Sequence, residues 1–369
     1  MLLIVVTMVL ERLSIIDFKN IENAEIELSA GINCFVGDNG AGKTNILDAL
    51  HYISAARSMH TLSDAQCLRH GRESLMLDAA LRHDDSRTEQ VVCAYTRRGG
   101  KTLRRNGKEY EKLSDHVGCV PTVVISPADT ALISDSAEER RRYINRLIST
   151  LDRSYLAALI RYNTALAERN KLLKMHPTEE LLLIYDNMLS TSAEVLFAGR
   201  TTITAELRPL VEEYYALLSE ERESIGIEYR SELQTAPLPE LLLASRQRDF
   251  VNEHTTTGIH RDDIIFSIGD YPLRKFGSQG QQKSFLIALK LAEYTLLARQ
   301  SGERPMLLLD DLFDKLDMRR VAQLLRLVGG EMFGQIFITD CNKHRLQHTL
   351  DEAGAEYRLF HVSNGEVSL

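Results

Sequence analysis

Residues 37–44 read GDNGAGKT, and this stretch decides the fold class of the chain. It satisfies the pattern G-x-x-x-x-G-K-[ST] in full, between a predicted strand and a predicted helix, which is the context that a phosphate-binding loop requires. Its glycines allow backbone N–H groups to close on phosphate oxygens, and the N-terminus of the following helix adds a favourable dipole. The alternative, a chance glycine-rich turn, leaves the strand and the helix around it unexplained.

We therefore predict that this loop binds ATP together with Mg²⁺. Lys43 would reach the β- and γ-phosphates, and the hydroxyl of Thr44 would ligate the metal. The predicted nucleotide-binding residues are Gly37, Asp38, Asn39, Gly40, Ala41, Gly42, Lys43 and Thr44.

Outward from the loop, short β-branched segments bounded by turn residues predict strands on both sides. The predicted strands lie at residues 10–17, 24–28, 32–36, 75–82, 90–96, 102–105 and 122–125, and a helix follows the loop at 46–54. RRGGK at residues 97–101 is a hairpin signal. The strand pattern begins at Met8, so we assign no structural role to residues 1–7, which also lack the basic and small-residue features of a signal peptide.

The pattern becomes helical between residues 136 and 219. Ser136 and Glu139 have the spacing of a capping box, and Pro177 ends the helix whose apolar stripe begins at Tyr155. A further helix is predicted at 178–200, and Pro209 would interrupt or kink the next one. Only about three heptads keep phase, so we expect a small bundle or arm rather than a long coiled coil.

Strands return towards the C-terminus, at residues 225–230, 263–268, 335–339 and 357–361. An amphipathic helix carrying Phe285, Leu289, Ala292 and Leu296 precedes an apolar strand at 306–309. The chain is thus predicted to be an α/β protein. Its head comprises residues 8–126 and 255–369, and a mainly helical second lobe is inserted at 127–254.

MLLLDD at residues 306–311 is an apolar strand that ends in two acids. A buried strand that delivers a carboxylate beside a phosphate-binding loop is the arrangement that holds Mg²⁺ in P-loop proteins. Asp310 would hold the metal through water, and Asp311 would polarise the attacking water. Solvated acids at a strand end are the alternative interpretation, and the phosphate-binding loop makes it the weaker one.

FGSQGQQ at residues 276–282 precedes the helix that leads to this strand. By itself, a Ser–Gly segment before a helix describes an ordinary N-cap. Its position in the chain favours a second interpretation, in which the Ser278 hydroxyl and the helix N-terminus bind the γ-phosphate held by a second subunit.

In this order, the three segments resemble the Walker A, signature and Walker B motifs of ABC ATPases. From residue 8 to the C-terminus the chain resembles the RecF family of SMC-like DNA-repair ATPases more closely still. The further segments that carry the resemblance are LERLSIIDFKN at 10–20, ISPAD at 125–129, ERRRYI at 139–144, RYNTALAERNKLL at 161–173, TTGIHRDD at 256–263 and LLLDDLFDKLD at 307–317.

The resemblance implies an ABC/SMC-type P-loop ATPase head with a helical second lobe, and an ATP-dependent homodimer in which each nucleotide lies between two heads. It assigns Ser278, Gly280 and Gln281 to the γ-phosphate in trans and Asp317 to the D-loop. It also implies slow DNA-dependent ATP hydrolysis and binding to single-stranded DNA or single/double-strand junctions. RecR is the implied partner, with RecO and RecA acting at gapped DNA and in SOS induction.

Two positions depart from the usual ABC pattern. Asp311 stands where most ABC ATPases carry Glu, and Thr339-Asp340 stands where many carry a switch His. Both departures fit slow hydrolysis. A Q-loop glutamine has no clear match, and the region near Ser126 is the nearest equivalent.

Three further clusters of polar residues have a structural and a functional interpretation. HRDD at 260–263 supplies too few ligands for a metal site. The resemblance favours either a structural role or a role between the head and the nucleotide. The basic hairpin is either a DNA contact or a strand edge protected by charge. It comprises Arg97, Arg98, Lys101, Arg104, Arg105 and Lys108. Arg140–Arg142 is a second basic run, part of which can pair with Glu138 and Glu139.

Composition limits the classes of function. A net charge of −8 argues against a general nucleic-acid coat protein but permits local phosphate-binding patches. Five cysteines without a CxxC motif predict reduced thiols and a cytoplasmic protein. We find no stretch that is apolar for long enough to cross a membrane, and so expect no membrane partner.

Three other classes of protein share some of these features. A transporter ATPase subunit is disfavoured by the helical insertion, Asp311 and the missing switch His. A small-molecule P-loop kinase would have no use for the signature and D-loop segments. An OLD-type nuclease would need an acidic nuclease domain that the sequence does not carry.

Overall fold

The computed structural model describes residues 6–61, 63–219, 223–312, 318–330 and 332–369. The strands are, in chain order, β1 (Val6–Phe18), β2 (Ile21–Glu27), β3 (Ile32–Val36), β4 (Ser74–His83), β5 (Thr88–Thr96), β6 (Gly100–Arg105), β7 (Lys108–Glu109), β8 (Thr122–Ile125), β9 (Ile225–Arg230), β10 (Asp263–Ile268), β11 (Tyr271–Pro272), β12 (Glu303–Arg304), β13 (Met306–Leu309), β14 (Ile336–Asp340), β15 (Tyr357–Ser363) and β16 (Glu366–Ser368). The α-helices are α1 (Lys43–Ala55), α2 (Ala131–Ser134), α3 (Ala137–Leu151), α4 (Arg153–Leu173), α5 (Glu179–Ser219), α6 (Leu238–Asn252), α7 (Leu273–Phe276), α8 (Gln279–Ser301), α9 (Met318–Val328) and α10 (Lys343–Glu352).

The chain divides into two compact units. One is Met1–Asp129 with Lys290–Leu369, and the other is Thr130–Leu289. The boundary that the sequence predicts between residues 254 and 255 therefore falls inside the second unit. It does so because β9 pairs with β10 in antiparallel register along its whole length, which holds residues 225–268 together.

In the first unit, the described residues form a largely parallel sheet with the strand order β16-β15-β3-β14-β13-β8. Every residue of β3 is buried. Continuous apolar strands of this kind are typical of parallel sheets that are covered on both faces. Because β3, β14 and β13 are parallel neighbours, their carboxyl ends meet at one edge of the sheet, where ligands bind in α/β folds.

A second sheet in the same unit is built around β1, with the order β12-β1-β4-β5-β6-β7 and β2 also paired with β1. The buried cluster between the layers includes Phe18, Phe35, Tyr52 and Phe337. The strand begins before Met8, because Thr7 pairs with Arg304 in parallel register. The prediction that residues 6 and 7 have no structural role is therefore wrong, and residues 1–5 lie outside the described part of the chain.

The second unit combines helices α3–α6 with the strands β9, β10 and β11. Its longest element is α5, which runs unbroken from Glu179 to Ser219 with Pro209 inside it. The predicted break after residue 200 is thus wrong, and Pro209 does not interrupt the helix. Its buried side chains continue beyond the proline through Leu210, Val211 and Tyr214, and we infer that this packing offsets the hydrogen bond that proline removes.

Two predicted local features also differ from the structure. Ser136 stands at the N-cap of α3 without a side-chain capping bond, so the capping box is wrong. Glu139 instead pairs with Arg142 at 2.6 Å. The helix predicted to be amphipathic lies within α8, where residues 284–297 are buried on every face. The buried faces include Lys290 and Glu293, which form an ion pair at 3.2 Å, and the spacing of the large apolar residues alone did not reveal this burial.

Helix α5 is long and apolar enough to cross a membrane by length and composition. In its most apolar 18-residue window, 39% of the residues are buried inside the protein. The sequence-based statement that no stretch meets this criterion is therefore corrected. The helix also carries Asp186 and Arg200, whose buried side chains pair with Arg169 and Asp262 of the same unit. Buried ion pairs with neighbouring elements are contacts of a core helix in a folded protein.

Candidate nucleotide-binding site

The loop at residues 37–44 connects β3 to α1 and curls around the ammonium group of Lys43. The Nζ of Lys43 donates to the carbonyl oxygens of Gly37 and Asp38 at 2.8 and 2.9 Å. Gly40 and Gly42 have φ values of 82° and 117°, which L-residues rarely adopt. These glycines turn the loop so that helix α1 begins directly at Lys43.

Gly37 lies against the backbone of β15. An added Cβ at this position would lie only 2.1 Å from the carbonyl oxygen of Val362. Because the obstacle is backbone rather than a flexible side chain, any side chain here would push the loop away from the sheet.

We expect Gly37→Ala to lower the free energy of unfolding by about 1–3 kcal/mol, the usual cost of overpacking. Gly31→Ala is the matched control at the other end of β3, since its Cβ would meet only Glu356 O at 3.8 Å. That control should change stability by less than about 1 kcal/mol. Urea unfolding of both variants measures the difference, and equal stabilities would show that the loop tolerates a side chain at Gly37.

Two residues outside the motif brace the loop. The side-chain amide of Asn20 donates to the Ala41 carbonyl at 3.1 Å and accepts from the Asn45 amide at 2.7 Å. The N–H of Gly365, in the turn between β15 and β16, donates to the same carbonyl at 2.8 Å. Sequence reasoning missed both, because each comes from a distant part of the chain. Asn20 is the last residue of LERLSIIDFKN, one of the segments that carry the family resemblance.

Asp310, at the end of β13, lies beside the start of α1. Its Oδ1 accepts a hydrogen bond from the Thr44 hydroxyl at 2.8 Å, and its side chain is almost wholly buried. The structure therefore brings together the two residues that the sequence predicts as metal ligands. A buried carboxylate needs such partners to offset its lost hydration.

Thr339 of β14 supplies the second partner, and sequence reasoning had noted this position only for the missing histidine. Its hydroxyl donates to Asp310 Oδ1 at 2.7 Å and accepts from the backbone N–H of Asp311 at 3.0 Å. Asp311 has a φ of 47°, a conformation that costs a non-glycine residue on the order of 1 kcal/mol or more. Thr339 thus fixes both acids of the DD pair.

The donor set at this point fits Mg²⁺. In the described residues, no group of three or more His, Cys, Asp or Glu side chains could hold a metal ion alone. Magnesium is usually held by one or two protein oxygens together with phosphate oxygens. The Thr44 hydroxyl and the Asp310 carboxylate, 2.8 Å apart beside a phosphate-binding loop, match that pattern.

The predicted signature residues lie in the second unit, at the start of α8. Ser278 Oγ accepts from the Gln281 backbone N–H at 3.2 Å, and Gln281 Oε1 accepts from the Ser278 N–H at 2.6 Å. This reciprocal pair is a capping box, so the ordinary N-cap interpretation is correct for these two side chains. Gly280 lies within the first turn of the helix. Asp317, the predicted D-loop residue, lies outside the described residues.

The HRDD segment is held by contacts within its own unit. His260 Nδ1 lies 2.9 Å from the Tyr162 hydroxyl, and Nε2 lies 3.0 Å from the Thr255 carbonyl. Burial lowers the pKa of His260 to about 4, so the ring is neutral at pH 7. The contacts of this segment support the structural interpretation.

Arginine pairing in the two basic runs limits the positive charge that they offer. Arg140 binds Asp263 at 2.8 Å, and Arg142 binds both Glu138 and Glu139. The Arg141 guanidinium donates to the Asp262 carbonyl at 2.6 Å. In the basic hairpin, four side chains form ion pairs with acids, namely Arg97 with Glu73, Lys101 with Asp64, Arg104 with Glu109 and Arg105 with Glu89.

The region proposed as the Q-loop equivalent follows β8. Asp129 Oδ2 accepts from the Ser126 N–H at 2.7 Å, and Asp129 Oδ1 lies 3.3 Å from Lys290 Nζ. This turn is therefore tied to α8 by a carboxylate and a lysine. The segment ISPAD contains no glutamine.

The chain is similar to known proteins over almost its whole length. Residues 9–368 match the family described as "RecF/RecN/SMC N terminal domain". A protein from Phocaeicola vulgatus named "DNA replication and repair protein RecF" is 44% identical over 364 residues, which cover 98% of each chain.

Two solved structures resemble this one. The structure of "the recombination mediator protein RecF-ATP in RecFOR pathway" aligns with a TM-score of 0.87 and 28% identity, covering 98% of this chain and 97% of that one. An Smc head domain from Pyrococcus furiosus aligns with a TM-score of 0.58 at 15% identity, which supports the ABC/SMC-type α/β fold alone. The chain belongs to the RecF family of proteins that carry the RecF/RecN/SMC N terminal domain.

Proposed function

We propose that this chain is an ATP-gated, DNA-binding dimer that acts in DNA replication and recombinational repair, and that slow ATP hydrolysis controls its release. The observation that carries the proposal is the convergence of Thr44 and Thr339 on Asp310 at 2.8 and 2.7 Å, at the end of the phosphate-binding loop. The printed names of the RecF relatives support the role in replication and repair.

ATP would bind with its phosphates against the loop at residues 37–44. Backbone N–H groups that the loop glycines expose would donate hydrogen bonds to the phosphate oxygens, and the Lys43 ammonium would balance their charge. Thr44 and Asp310 would hold Mg²⁺, which when bound neutralises charge on the phosphates. The similar solved structure is one of RecF with ATP, and this supports ATP as the nucleotide that the present chain binds.

Hydrolysis would depend on Asp311, whose carboxylate we propose orients and polarises the attacking water. Its backbone is held by the Thr339 hydroxyl at 3.0 Å. Asp is one methylene shorter than the glutamate that ABC ATPases usually carry, so its carboxylate reaches less far. We infer slow turnover for this reason, as suits a switch rather than a metabolic enzyme.

The dimer would form when ATP bound by one subunit meets the start of α8 of the other. A helix N-terminus attracts anions, and the Ser278 hydroxyl retains a proton to donate after accepting from Gln281. We propose Ser278 and Gly280 as contacts to the γ-phosphate in trans, and Asp317 as the D-loop residue of the same interface.

Closure of the two heads would hold DNA, either single strands or single/double-strand junctions. We propose RecR as the direct partner, with RecO and RecA acting in the same pathway at gapped DNA and in SOS induction. The RecFOR pathway of the similar structure supports this partner set. The five cysteines are free thiols, as predicted, which suits the reducing cytoplasm in which we place the protein.

The decisive experiment compares DNA affinity with and without ATP. In the native protein, ATP should raise affinity for gapped DNA by a factor of about 5–150, the usual range of coupling between sites. Lys43→Arg and Ser278→Arg should both lose this gain, measured by fluorescence anisotropy of labelled DNA. Ser278→Arg should still bind ATP but should form no ATP-induced dimer in gel filtration.

Ser136→Arg is the matched control for this experiment. Ser136 is also exposed and precedes a helix of the same unit, but its side chain makes no capping bond. We expect native ATP-dependent binding from it. Unchanged ATP-dependent binding in both Lys43→Arg and Ser278→Arg would reject the proposed function.

A further inference from the structure

Glu223 connects the end of α5 to the predicted signature segment. Its Oε2 accepts a hydrogen bond from the hydroxyl of the buried Tyr215 at 3.0 Å. Its Oε1 accepts from Gln281 Nε2 at 2.6 Å. One carboxylate therefore joins a core tyrosine of the helical unit to a side chain at the start of α8.

Both ends of the Gln281 amide are occupied. Its Oε1 accepts from the Ser278 N–H at 2.6 Å, while its Nε2 donates to Glu223. A backbone N–H only donates and an ionised carboxylate only accepts, so the two partners fix the orientation of the amide. The amide cannot turn away without breaking a charge-assisted hydrogen bond.

The same side chain sets the position of Ser278. The Ser278 hydroxyl accepts from the Gln281 N–H at 3.2 Å, which closes a ring of two hydrogen bonds between these residues. Gln282 supports the preceding turn, because its Nε2 donates to the Gly277 carbonyl at 2.9 Å. The two glutamines thus act on the geometry of the loop, and Gln281 depends on Glu223 to do so.

We propose that Glu223 is a positioning residue for ATP-dependent dimerisation: it holds Gln281, and through it Ser278, in the geometry that receives the γ-phosphate of a second subunit. This inference rests on the proposed function. It also changes the role expected for Gln281, from a phosphate contact to a support for Ser278. Preorganised donors favour binding because the ordering cost is met before the partner arrives.

The test measures ATP-induced dimerisation of the full-length protein by sedimentation over a range of concentrations. We expect Glu223→Ala to raise the concentration for half-maximal dimer about tenfold or more, the change expected from losing one charge-assisted hydrogen bond. Glu223→Gln should restore most of the native value, since its amide oxygen still accepts from Gln281. Binding of a fluorescent ATP analogue to the monomer should be unchanged in both variants.

A double-mutant cycle distinguishes positioning from a general loss of structure. Glu223→Ala and Gln281→Ala should each weaken the dimer, and the double variant should be little worse than either, because both break the same connection. Glu213→Ala, which removes an exposed carboxylate of α5, should behave as the native protein. Thermal unfolding of all variants shows whether the helical unit is intact.

Each outcome bears on one of the two proposals. If Ser278→Arg leaves ATP-induced dimers intact, the proposed function fails. If Ser278→Arg abolishes them but Glu223→Ala dimerises as the native protein does, the positioning role alone is overturned. The role is also overturned if Glu223→Ala lowers the unfolding temperature and Glu223→Gln fails to restore dimerisation, since Glu223 would then serve only the stability of the unit.

Discussion

An Asp310→Asn variant is expected to hydrolyse ATP about 100-fold more slowly than the native protein, or slower still. The amide oxygen can still accept from Thr44 and Thr339, so the local structure should persist while the negative charge is lost. A metal ion supplies several kcal/mol of transition-state stabilisation, and each 1.36 kcal/mol corresponds to about a tenfold change in rate. Loss of the carboxylate that we propose as the holder of the ion should therefore lower the rate by about two orders of magnitude.

Phosphate release at saturating ATP and DNA measures this effect. Asp85→Asn is the control, because it neutralises an exposed carboxylate that pairs with Arg87 in the same turn of the first unit. We expect native rates from the control. A rate above about half the native value in Asp310→Asn would exclude Asp310 as the metal-holding residue.

The second large effect concerns stability. Arg169 lies in α4 with no exposed side-chain surface and binds Asp186 of α5 at 2.7 Å and Asp249 of α6 at 2.8 Å. The same guanidinium donates to the Thr255 hydroxyl at 2.8 Å. We expect Arg169→Met to lower the free energy of unfolding by about 3–5 kcal/mol, because it removes the cation bound to the buried Asp249 and leaves Asp186 only its pair with Arg246.

Lys171→Met is the control for this variant. It removes a cation from the same helix, but one whose pair with Glu168 is exposed, and such pairs contribute less than about 1 kcal/mol. Urea unfolding followed by circular dichroism gives the midpoint for both variants. Similar midpoints would show that the buried network adds no more than a surface ion pair does.

The sequence predicts best where local pattern and burial agree. The strands at residues 32–36 and 122–125 were predicted with their observed bounds, because short β-branched runs in a parallel sheet are bounded by sharp changes in composition. The juxtaposition of Thr44 and Asp310 also followed from the motifs, since each motif specifies both a chemical group and its place at the end of a strand.

Predictions failed where distant residues decide the outcome. The continuous path of α5 through Pro209 depends on packing against its neighbours, which no helix propensity expresses. Asn20 and Gly365 hydrogen-bond to the loop from other segments of the chain. The hydrogen bonds of Thr339 to Asp310 and Asp311 also join separate segments. Likewise, the second unit extends beyond the predicted residue 254, because β9 pairs with β10. This tertiary contact is not visible in the local sequence pattern.

The strand that leads into the nucleotide loop has both of its hydrogen-bonded neighbours near the end of the chain. Strand β3 is flanked by β14 and β15, which begin at Ile336 and Tyr357. A nascent polypeptide synthesised only as far as α9 lacks both of these neighbours. Pairings of such long sequence separation form late in folding, so the loop should reach its nucleotide-binding geometry only when β14 and β15 are in place.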